Sequence, residues 1–417
     1  MLVSLKINNV LIYDHEIEFS MRAVMRASRL QCNVIETAGV DIVKSAVILG
    51  PNNSGKTNLV RTISALRGIL LNRGTVLSPN LFSQDGICEI TVDFIRGGEE
   101  YYFSFKYDAS ALEYVSESFG KIKNGKKAIM VHRDMKIRCF QSGDRNLAAA
   151  MRMAGRGTLL IYALDTSQFQ ALEEMRQVLT DFASSIDVID MNNIPIGMTL
   201  DMLKDGGEMQ RLIVDFVKKA DLSLDDFHYA SEPAVGSLRL PGYGEERRPS
   251  EEALNNHSRM TDLQHLESVY RGVRVPSLYH DSTGTKKFAA LAGHVLQALR
   301  LGRILVVDEI DNSLHFRLTR AIFAMFNNEL NKRAQLIATA HDISLLDCRR
   351  LFRKEQIWFA AKDSEHTYLY PLSDFKARED GVRDTSDLEK MYRKGHFGAL
   401  PEPELFDALM EASHAEA

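Results

Sequence analysis

The stretch GPNNSGKT, residues 50–57, constrains the fold of this chain more than any other part of its sequence. It fits the pattern GxxxxGK[ST] and lies between an apolar run, 46–49, and a segment with apolar residues at helical spacing that begins near Lys56. Glycines let the backbone curl so that its N–H groups point at phosphate oxygens, and the following helix adds its positive N-terminal dipole. The sequence therefore predicts a strand, a phosphate-binding loop and a helix, with a nucleoside triphosphate as ligand.

Each position of this loop has an expected role. Lys56 reaches the outer phosphates, and the hydroxyl of Thr57 ligates Mg²⁺. The predicted nucleotide-binding set is the loop and the residue after it: Gly50, Pro51, Asn52, Asn53, Ser54, Gly55, Lys56, Thr57 and Asn58.

The stretch RILVVDEIDNSLH, residues 303–315, supplies a second acidic site. Four apolar residues predict a buried strand that ends in Asp308, which would face the magnesium, and Glu309, which could polarise the attacking water. The alternative is a buried strand that ends in a helix-capping acid. The phosphate loop in the same chain favours the catalytic interpretation.

Two further pieces have the chemistry of an anion site. Ser282 and Gly284 lie just ahead of an amphipathic helix, whose N-terminus offers a hydroxyl and free N–H groups, although a simple serine N-cap has the same pattern. His341 ends the apolar strand LIATAH, where its imidazole could contact a γ-phosphate. A lone histidine is more often structural, but four such pieces in this order favour a function.

In this order the four pieces resemble the ABC-class ATPase heads. Among those the chain is similar to the stand-alone group near the OLD, RecF and SMC heads, which includes AAA-type ATP-binding proteins of bacterial defence loci. The segments LKINNV, DEIDNSLH and YRKGHFGALP carry this likeness, which covers residues 1 to about 110 and 266 to 401. Two positions depart from the pattern of these heads: the signature reads DSTGT instead of LSGGQ, and His315 stands where an aspartate is usual in the D-loop.

The resemblance implies an α/β fold, an ABC-type P-loop NTPase head with a mixed β N-terminal lobe, a parallel-sheet core and a helical insertion. It implies ATP and Mg²⁺ as cofactors, and a homo-oligomer, a dimer or higher, in which Ser282 and Gly284 complete the site on the opposite subunit. Slow, regulatory hydrolysis would gate a separately encoded effector, such as a TOPRIM-type nuclease or a toxin, in anti-phage defence. Gln84 is the candidate Q-loop glutamine, and no aromatic residue is assigned to the adenine.

The pattern along the chain predicts four parts. Residues 1–145 are the N-terminal part of the head, mainly strands, with hairpins that turn at Gly97–Gly98 and Asn124–Gly125. Residues 146–262 are a helical insertion followed by a long exposed loop, 263–401 are the C-terminal part of the head, and 402–417 are a tail. The tail leaves no room for a fused TOPRIM domain, so we expect a separate partner.

Composition narrows the function classes. The chain has 417 residues, 45% of them hydrophobic, and a formal net charge of -5, so any nucleic-acid contact needs a local basic patch. Its four cysteines show no zinc-like spacing and predict reduced thiols. Neither a signal peptide nor a membrane span is recognisable, so we expect a cytoplasmic protein.

One basic segment, 120–138, is the candidate nucleic-acid patch. Its positive residues are Lys121, Lys123, Lys126, Lys127, Arg133, Lys136 and Arg138. They could track phosphates. They could also be the solvated face of an edge hairpin that lysines protect from aggregation.

Two alternative functions stay open at this point. A RecF- or SMC-like head could act directly on DNA in repair or recombination. The energy subunit of a membrane transporter is the other, although the length of the chain and its helical middle do not suit that task.

Overall fold

The structure is a computed structural model that describes residues 1–24, 29–134, 145–220, 224–232, 262–363, 366–383 and 385–400. Its strands are β1 Leu2–Asn8, β2 Ile17–Ser20, β3 Val34–Thr37, β4 Val40–Val43, β5 Ser45–Leu49, β6 Ile87–Arg96, β7 Glu99–Asp108, β8 Glu113–Lys123, β9 Lys126–Arg133, β10 Ile186–Asp190, β11 Asp226–Tyr229, β12 Leu266–Tyr270, β13 Val273–Pro276, β14 Ile304–Asp308, β15 Gln335–Thr339, β16 Ile357–Lys362 and β17 Thr367–Pro371. Its α-helices are α1 Lys56–Leu70, α2 Arg145–Met153, α3 Leu160–Ala163, α4 Gln170–Ser184, α5 Gly197–Asp205, α6 Gly207–Lys218, α7 Ser277–His280, α8 Thr283–Leu301, α9 Phe316–Asn327 and α10 Leu388–Arg393.

The N-terminal lobe is an antiparallel sheet of six strands in the order β2-β1-β6-β7-β8-β9. Both predicted hairpins are confirmed. The first turns at Gly97 and Gly98, with φ of 60° and 80°, and the second turns at Asn124 and Gly125, with φ of 51° and 72°. Such left-handed pairs match the twist of the flanking strands, which is why these dipeptides predict two-residue turns.

The second sheet has the order β10-β14-β15-β5-β16-β17. Its pairs are parallel except for β16 and β17, which run antiparallel. Every residue of β5, β14 and β15 is buried, as the apolar runs predicted. Because the carboxyl ends of parallel strands meet at one edge, the loop after β5 lies beside the ends of β14 and β15.

Both faces of this parallel sheet are covered. Along β5, Ala46 and Ile48 pack into one core with α1, α4 and the antiparallel sheet, while Val47 and Leu49 pack into another core with α8 and α9. The alternation follows from the two-residue period of a strand. The loop that follows β5 is thus anchored between two cores.

The prediction for the middle of the chain needs a correction. Strand β10 lies inside the range 146–262, which we expected to be helical, and it pairs in parallel with β14. Helix α4, in the same range, packs its Phe182 ring against Phe94 of the antiparallel sheet, with ring centres 4.2 Å apart. The first part of this range therefore belongs to the head. The domain limits at 145, 262 and 401 stay predictions.

Several expectations fall on residues outside the described ranges: the exposed loop from 233 to 261, the tail from 402, and the positions of Lys136, Arg138 and Cys139. Cys32, Cys88 and Cys348 are free thiols. Among the described helices none is both long and apolar enough to cross a membrane.

Candidate nucleotide-binding site

The phosphate-binding loop is held by contacts that only glycine permits. A Cβ at Gly50 would lie 2.1 Å from the carbonyl oxygen of Ala360 in β16. Gly55 has a φ of 98°, and a Cβ there would lie 2.9 Å from the methyl of Thr367. The buried Tyr13 hydroxyl donates to the Gly55 carbonyl at 2.9 Å. The N-terminal lobe and the β16–β17 hairpin therefore fix the curl of the loop.

Lys56 lies inside this curl at the start of α1. Its Nζ donates to the carbonyl oxygens of Gly50 and Pro51, both at 2.8 Å. Burial lowers the pKa of Lys56, against the opposing effect of the acids at 308, 309 and 311. The ammonium is thus placed where a bound phosphate would share its hydrogens.

A cluster of oxygen atoms joins the P-loop helix to the strand ends. The Thr57 hydroxyl lies 3.3 Å from Asp308 Oδ1, and the Thr339 hydroxyl donates to the same oxygen at 2.6 Å. A carboxylate and a hydroxyl are hard oxygen donors of the kind that Mg²⁺ prefers. Thr57 and Asp308 therefore fit a magnesium site, and Thr339, which sequence reasoning missed, orients the carboxylate.

Glu309 lies directly after this site in a left-handed conformation, with φ of 54°. Its backbone N–H donates to the Thr339 hydroxyl at 2.8 Å, and its carboxylate accepts from Asn312 Nδ2 at 3.0 Å. A non-glycine residue at positive φ is uncommon and needs support from its surroundings. Here the two hydrogen bonds supply that support, and they hold the Glu309 carboxylate against Asn312 in the loop after β14.

His341 lies two residues after the end of β15. In the sheet, β15 lies between β14 and β5, the strand that precedes the phosphate-binding loop. Its backbone N–H donates to Asp311 Oδ2 at 2.8 Å, and the backbone of Asp342 donates to the same oxygen at 2.7 Å. His341 is exposed. The structure thus places it at the same sheet edge as Asp308, and its contact with a γ-phosphate stays a prediction.

The candidate signature lies at the N-terminus of α8. Ser282 caps this helix and accepts from the Thr285 N–H at 3.1 Å, so the simple capping interpretation is met. Ser282 and Thr283 are exposed. A Cβ at Gly284 would lie 2.6 Å from the Ser313 carbonyl oxygen, so glycine lets the helix start touch the loop after Glu309.

A hydrogen-bonded chain connects α8 to Glu309. The buried Lys287 Nζ donates to Asn312 Oδ1 at 2.7 Å, and Asn312 Nδ2 donates to Glu309 Oε2 at 3.0 Å. Asn192 Oδ1 accepts from the same Asn312 amide at 2.6 Å. Burial lowers the pKa of Lys287, and Glu309 and Asp190 oppose that shift. The one signal for these hydrogen bonds in the sequence is Lys287 itself, which lies four residues before Leu291 on the same buried helix face.

We expect Lys287→Met to reduce kcat for ATP hydrolysis about tenfold and to leave KM for ATP unchanged, because Asn312 and Glu309 would lose their orientation while the phosphate contacts remain. Steady-state phosphate release measures both constants. Lys286→Met is the matched control, since its Nζ donates to the Leu278 carbonyl at 3.0 Å. A change in KM alone, or equal effects of the two variants, would contradict this positioning role.

The candidate nucleic-acid patch is only partly a surface. Arg133 is fully buried, pairs with Glu117 and donates to the Gly155 carbonyl at 2.9 Å, so its inclusion in the patch was wrong. Lys121 pairs with Glu99 at 2.5 Å and with Glu174 at 3.1 Å. Lys127 lies over the Tyr102 ring at 4.6 Å, and Lys123 and Lys126 are exposed.

Gln84 is exposed in the loop between α1 and β6, and its role as the Q-loop glutamine stays a prediction.

Part of the chain is similar to a known protein family. Residues 181–347, which contain the signature, Asp308, Glu309 and His341, match the family described as "AAA domain, putative AbiEii toxin, Type IV TA system". No curated protein matches the chain. The predicted likeness to AAA-type ATP-binding proteins is confirmed by the family match.

Solved structures of SMC heads are also similar. The SMC head domain from Thermotoga maritima is 14% identical, with a TM-score of 0.43, over 89% of this chain and 98% of that chain. The SmcHead bound to the C-winged helix domain of ScpA is 12% identical, with a TM-score of 0.43, over 89% of this chain and 97% of that chain. The predicted fold class, an α/β fold with a parallel-sheet core, is confirmed by the sheets and helices of this structure.

Proposed function

We propose that this chain is an ATPase that binds ATP with Mg²⁺ and hydrolyses it slowly to ADP and phosphate. One observation carries the proposal: Thr57 from the P-loop helix and Asp308 from β14 meet at 3.3 Å, at the carboxyl edge of one parallel sheet. Phosphate contact, metal ligation and water activation then have separate side chains within one site.

The chemistry needs little beyond positioning and charge. Bound Mg²⁺ supplies neutralisation of the phosphate charge, and Thr57 and Asp308 would hold it. Lys56 contacts the outer phosphates, and His341 contacts the γ-phosphate. Glu309 holds the attacking water and accepts its proton.

We further propose that two heads close over shared ATP. The signature turn at Ser282 and Gly284 is an exposed helix N-terminus, which suits a phosphate of a neighbouring molecule. In such a dimer each nucleotide contacts the P-loop of one protomer and the signature of its partner. The contact of Gly284 with Ser313 would then connect the partner's nucleotide to the protomer's own Glu309 loop.

Complementation between two inactive variants tests this arrangement. Lys56→Ala alone and Ser282→Arg alone are each expected to lower hydrolysis at least tenfold. A mixed dimer contains one doubly defective site and one intact site, because the intact P-loop faces the intact signature. We therefore expect an equal mixture to recover about a quarter of the wild-type rate if protomers exchange freely, measured by phosphate release.

Exchange of protomers is verified with differently tagged copies of the same variants. If tagged mixed dimers form and the rate stays at the level of either variant alone, each pocket is built by a single protomer and the shared site is wrong. Lys56→Ala mixed with itself is the matched control.

A separately encoded effector, a nuclease of the TOPRIM type or a toxin, is the proposed target of the nucleotide cycle in anti-phage defence. The family matched by residues 181–347 is described as "AAA domain, putative AbiEii toxin, Type IV TA system", and a toxin–antitoxin system has two components, which supports a partner protein for this chain. The alternative, an ATPase that acts directly on DNA, has less support. Arg133 is buried, and Lys121 is engaged by two carboxylates.

A further inference from the structure

Two imidazoles and one carboxylate meet at the edge of the N-terminal lobe. Asp14 and His15 lie in the loop between β1 and β2, and His366 lies directly before β17. One ligand atom from each of the three side chains can be chosen so that all three atoms lie within 4.8 Å of one another. Asp14 and His366 are 352 residues apart along the chain, so the fold brings this group together.

The Asp14 carboxylate lies between the two rings. His15 Nδ1 is 2.7 Å from Asp14 Oδ1, and His366 Nδ1 is 2.5 Å from Asp14 Oδ2. The ring centres are 5.4 Å apart, and the rings meet edge to face. Ligand atoms about 2.1 Å from a tetrahedral zinc ion are about 3.3 Å from one another. The separations in this group bracket that value, so rotation of the side chains brings three ligand atoms onto one ion.

The two segments that carry these ligands are held by further hydrogen bonds. The backbones of Val10 and Tyr13 exchange two hydrogen bonds of 3.0 Å, which fixes the loop just before Asp14. The Asp363 carboxylate accepts from the His366 N–H at 2.7 Å and from the Tyr368 hydroxyl at 2.9 Å. Partners outside the ligand set orient metal ligands and raise the affinity of a site.

The three side chains are charged suitably and can be reached from solvent. Their exposed fractions are 23% for Asp14, 40% for His15 and 44% for His366. Burial would raise the pKa of Asp14, but the hydrogen bonds from His15 and His366 lower that pKa overall. The carboxylate is therefore ionised at neutral pH, as a metal ligand has to be.

We propose that Asp14, His15 and His366 bind a divalent transition metal, and that zinc is the metal that this donor set fits best. Two imidazoles and a carboxylate are a known zinc ligand set in which a water completes the tetrahedron. Mg²⁺ prefers oxygen ligands, so imidazoles disfavour it. None of the three ligands belongs to the magnesium pair proposed at Thr57 and Asp308, so this site is additional to the proposed function.

The bound ion connects two segments that both contact the phosphate-binding loop. Tyr13, next to Asp14, donates to the Gly55 carbonyl at 2.9 Å. The methyl of Thr367, next to His366, would lie 2.9 Å from a Cβ at Gly55. Zinc therefore acts as a clamp, because separation of the two segments requires its release.

Calorimetric titration of the untagged full chain with zinc chloride, without nucleotide, measures this site. Wild type should bind one zinc ion through it. His15→Ala and His366→Ala should each weaken zinc binding by at least about 100-fold, more than the loss of a partner outside the ligand set usually costs. Asp14→Asn keeps the size of the side chain but removes its charge, and it should weaken binding to a similar extent.

Two variants are controls for binding elsewhere. His396→Ala removes an exposed imidazole outside the group, and Cys32→Ser removes an exposed thiol, which is a strong zinc ligand. Neither should change the affinity. Failure of wild type to bind zinc, or equal binding by His366→Ala, would overturn the site and leave a hydrogen-bonded cluster. Loss of binding in a control variant alone would overturn it too, since the ion would then be adventitious.

Amide hydrogen exchange tests the clamp. At a zinc concentration about 100 times Kd, exchange near Tyr13 and Thr367 that requires the two segments to separate should slow about 100-fold in wild type. His366→Ala should show no such slowing. Unchanged exchange in zinc-loaded wild type would show that the ion does not join the segments. Because no nucleotide is present, these failures leave the proposed ATP site untouched.

Discussion

Glu309→Gln is expected to lower the turnover of ATP by about 10²- to 10³-fold and to leave ATP affinity within about twofold. Glutamine keeps the size of the side chain and an oxygen that can accept from Asn312, whose amide lies 3.0 Å from the carboxylate. It cannot take a proton from water. The left-handed backbone at 309 and its bond to Thr339 are unchanged, so the loss reports the carboxylate chemistry alone.

Single-turnover phosphate release measures the chemical step, and equilibrium binding of a fluorescent ATP analogue measures affinity. Glu329→Gln is the matched control, since Glu329 is an exposed acid on the same protein. Hydrolysis by Glu309→Gln at the wild-type rate would remove Glu309 from the mechanism. A large loss of affinity would assign it to nucleotide binding instead.

Glu309→Gln also tests whether ATP binding is coupled to dimer formation. With hydrolysis blocked, ATP stays bound, so the shared-site arrangement predicts a stable dimer with ATP and a monomer without it. An effector gated by the nucleotide should be captured to different extents in these two states. Equal capture would leave the ATPase intact and contradict the gating.

The parts of the site that sequence predicted are those with local causes. The loop 50–57, the start of α1 at Lys56 and the strand ending at Asp308 follow from glycine content, helical spacing and apolar runs. Their approach to each other was also predictable, because parallel strands place their carboxyl ends together.

The missed features depend on docking between distant segments. Lys287 and Asn312 are 25 residues apart, and their contact exists only because α8 packs against the loop after β14. Strand β10 was hidden because it is only five residues long, reads IDVID without strict alternation, and begins two residues after the end of a 15-residue helix. A short strand without strict alternation gives little signal beside such a helix.

Arg133 illustrates a different error. Strand β9 begins with exposed residues and ends with mainly buried ones, and its pairing with β8 shifts register between Phe119 and Gly120. Charge counting along the segment 120–138 ignores this change of environment. The arginine leaves the lysine surface and enters the core beside Glu117.

Arg133→Ala is expected to lower the free energy of unfolding by about 3–5 kcal/mol, since it leaves a buried carboxylate without its cation. Both side chains are fully buried. Besides its pair with Arg133, the Glu117 carboxylate accepts from the Leu160 N–H through Oε2 at 3.0 Å. Burial raises the pKa of Glu117, and Arg133 opposes that shift. Denaturation in urea measures the change. Lys126→Ala, which removes an exposed charge from the same strand, is the control and should change the free energy of unfolding by less than about 0.5 kcal/mol.

The pH dependence of this loss separates charge from packing. Without Arg133 the pKa of Glu117 in the folded state rises further above its unfolded value, so the folded protein holds a proton that the unfolded chain releases as pH rises. The difference from wild type should therefore be smaller near pH ~4 than near pH ~8. If Arg133→Ala does not fold, the double variant Glu117→Leu, Arg133→Met replaces both charges with apolar groups and should recover most of the stability. A double variant as unstable as Arg133→Ala would show that shape, and not the buried charge, sets the cost.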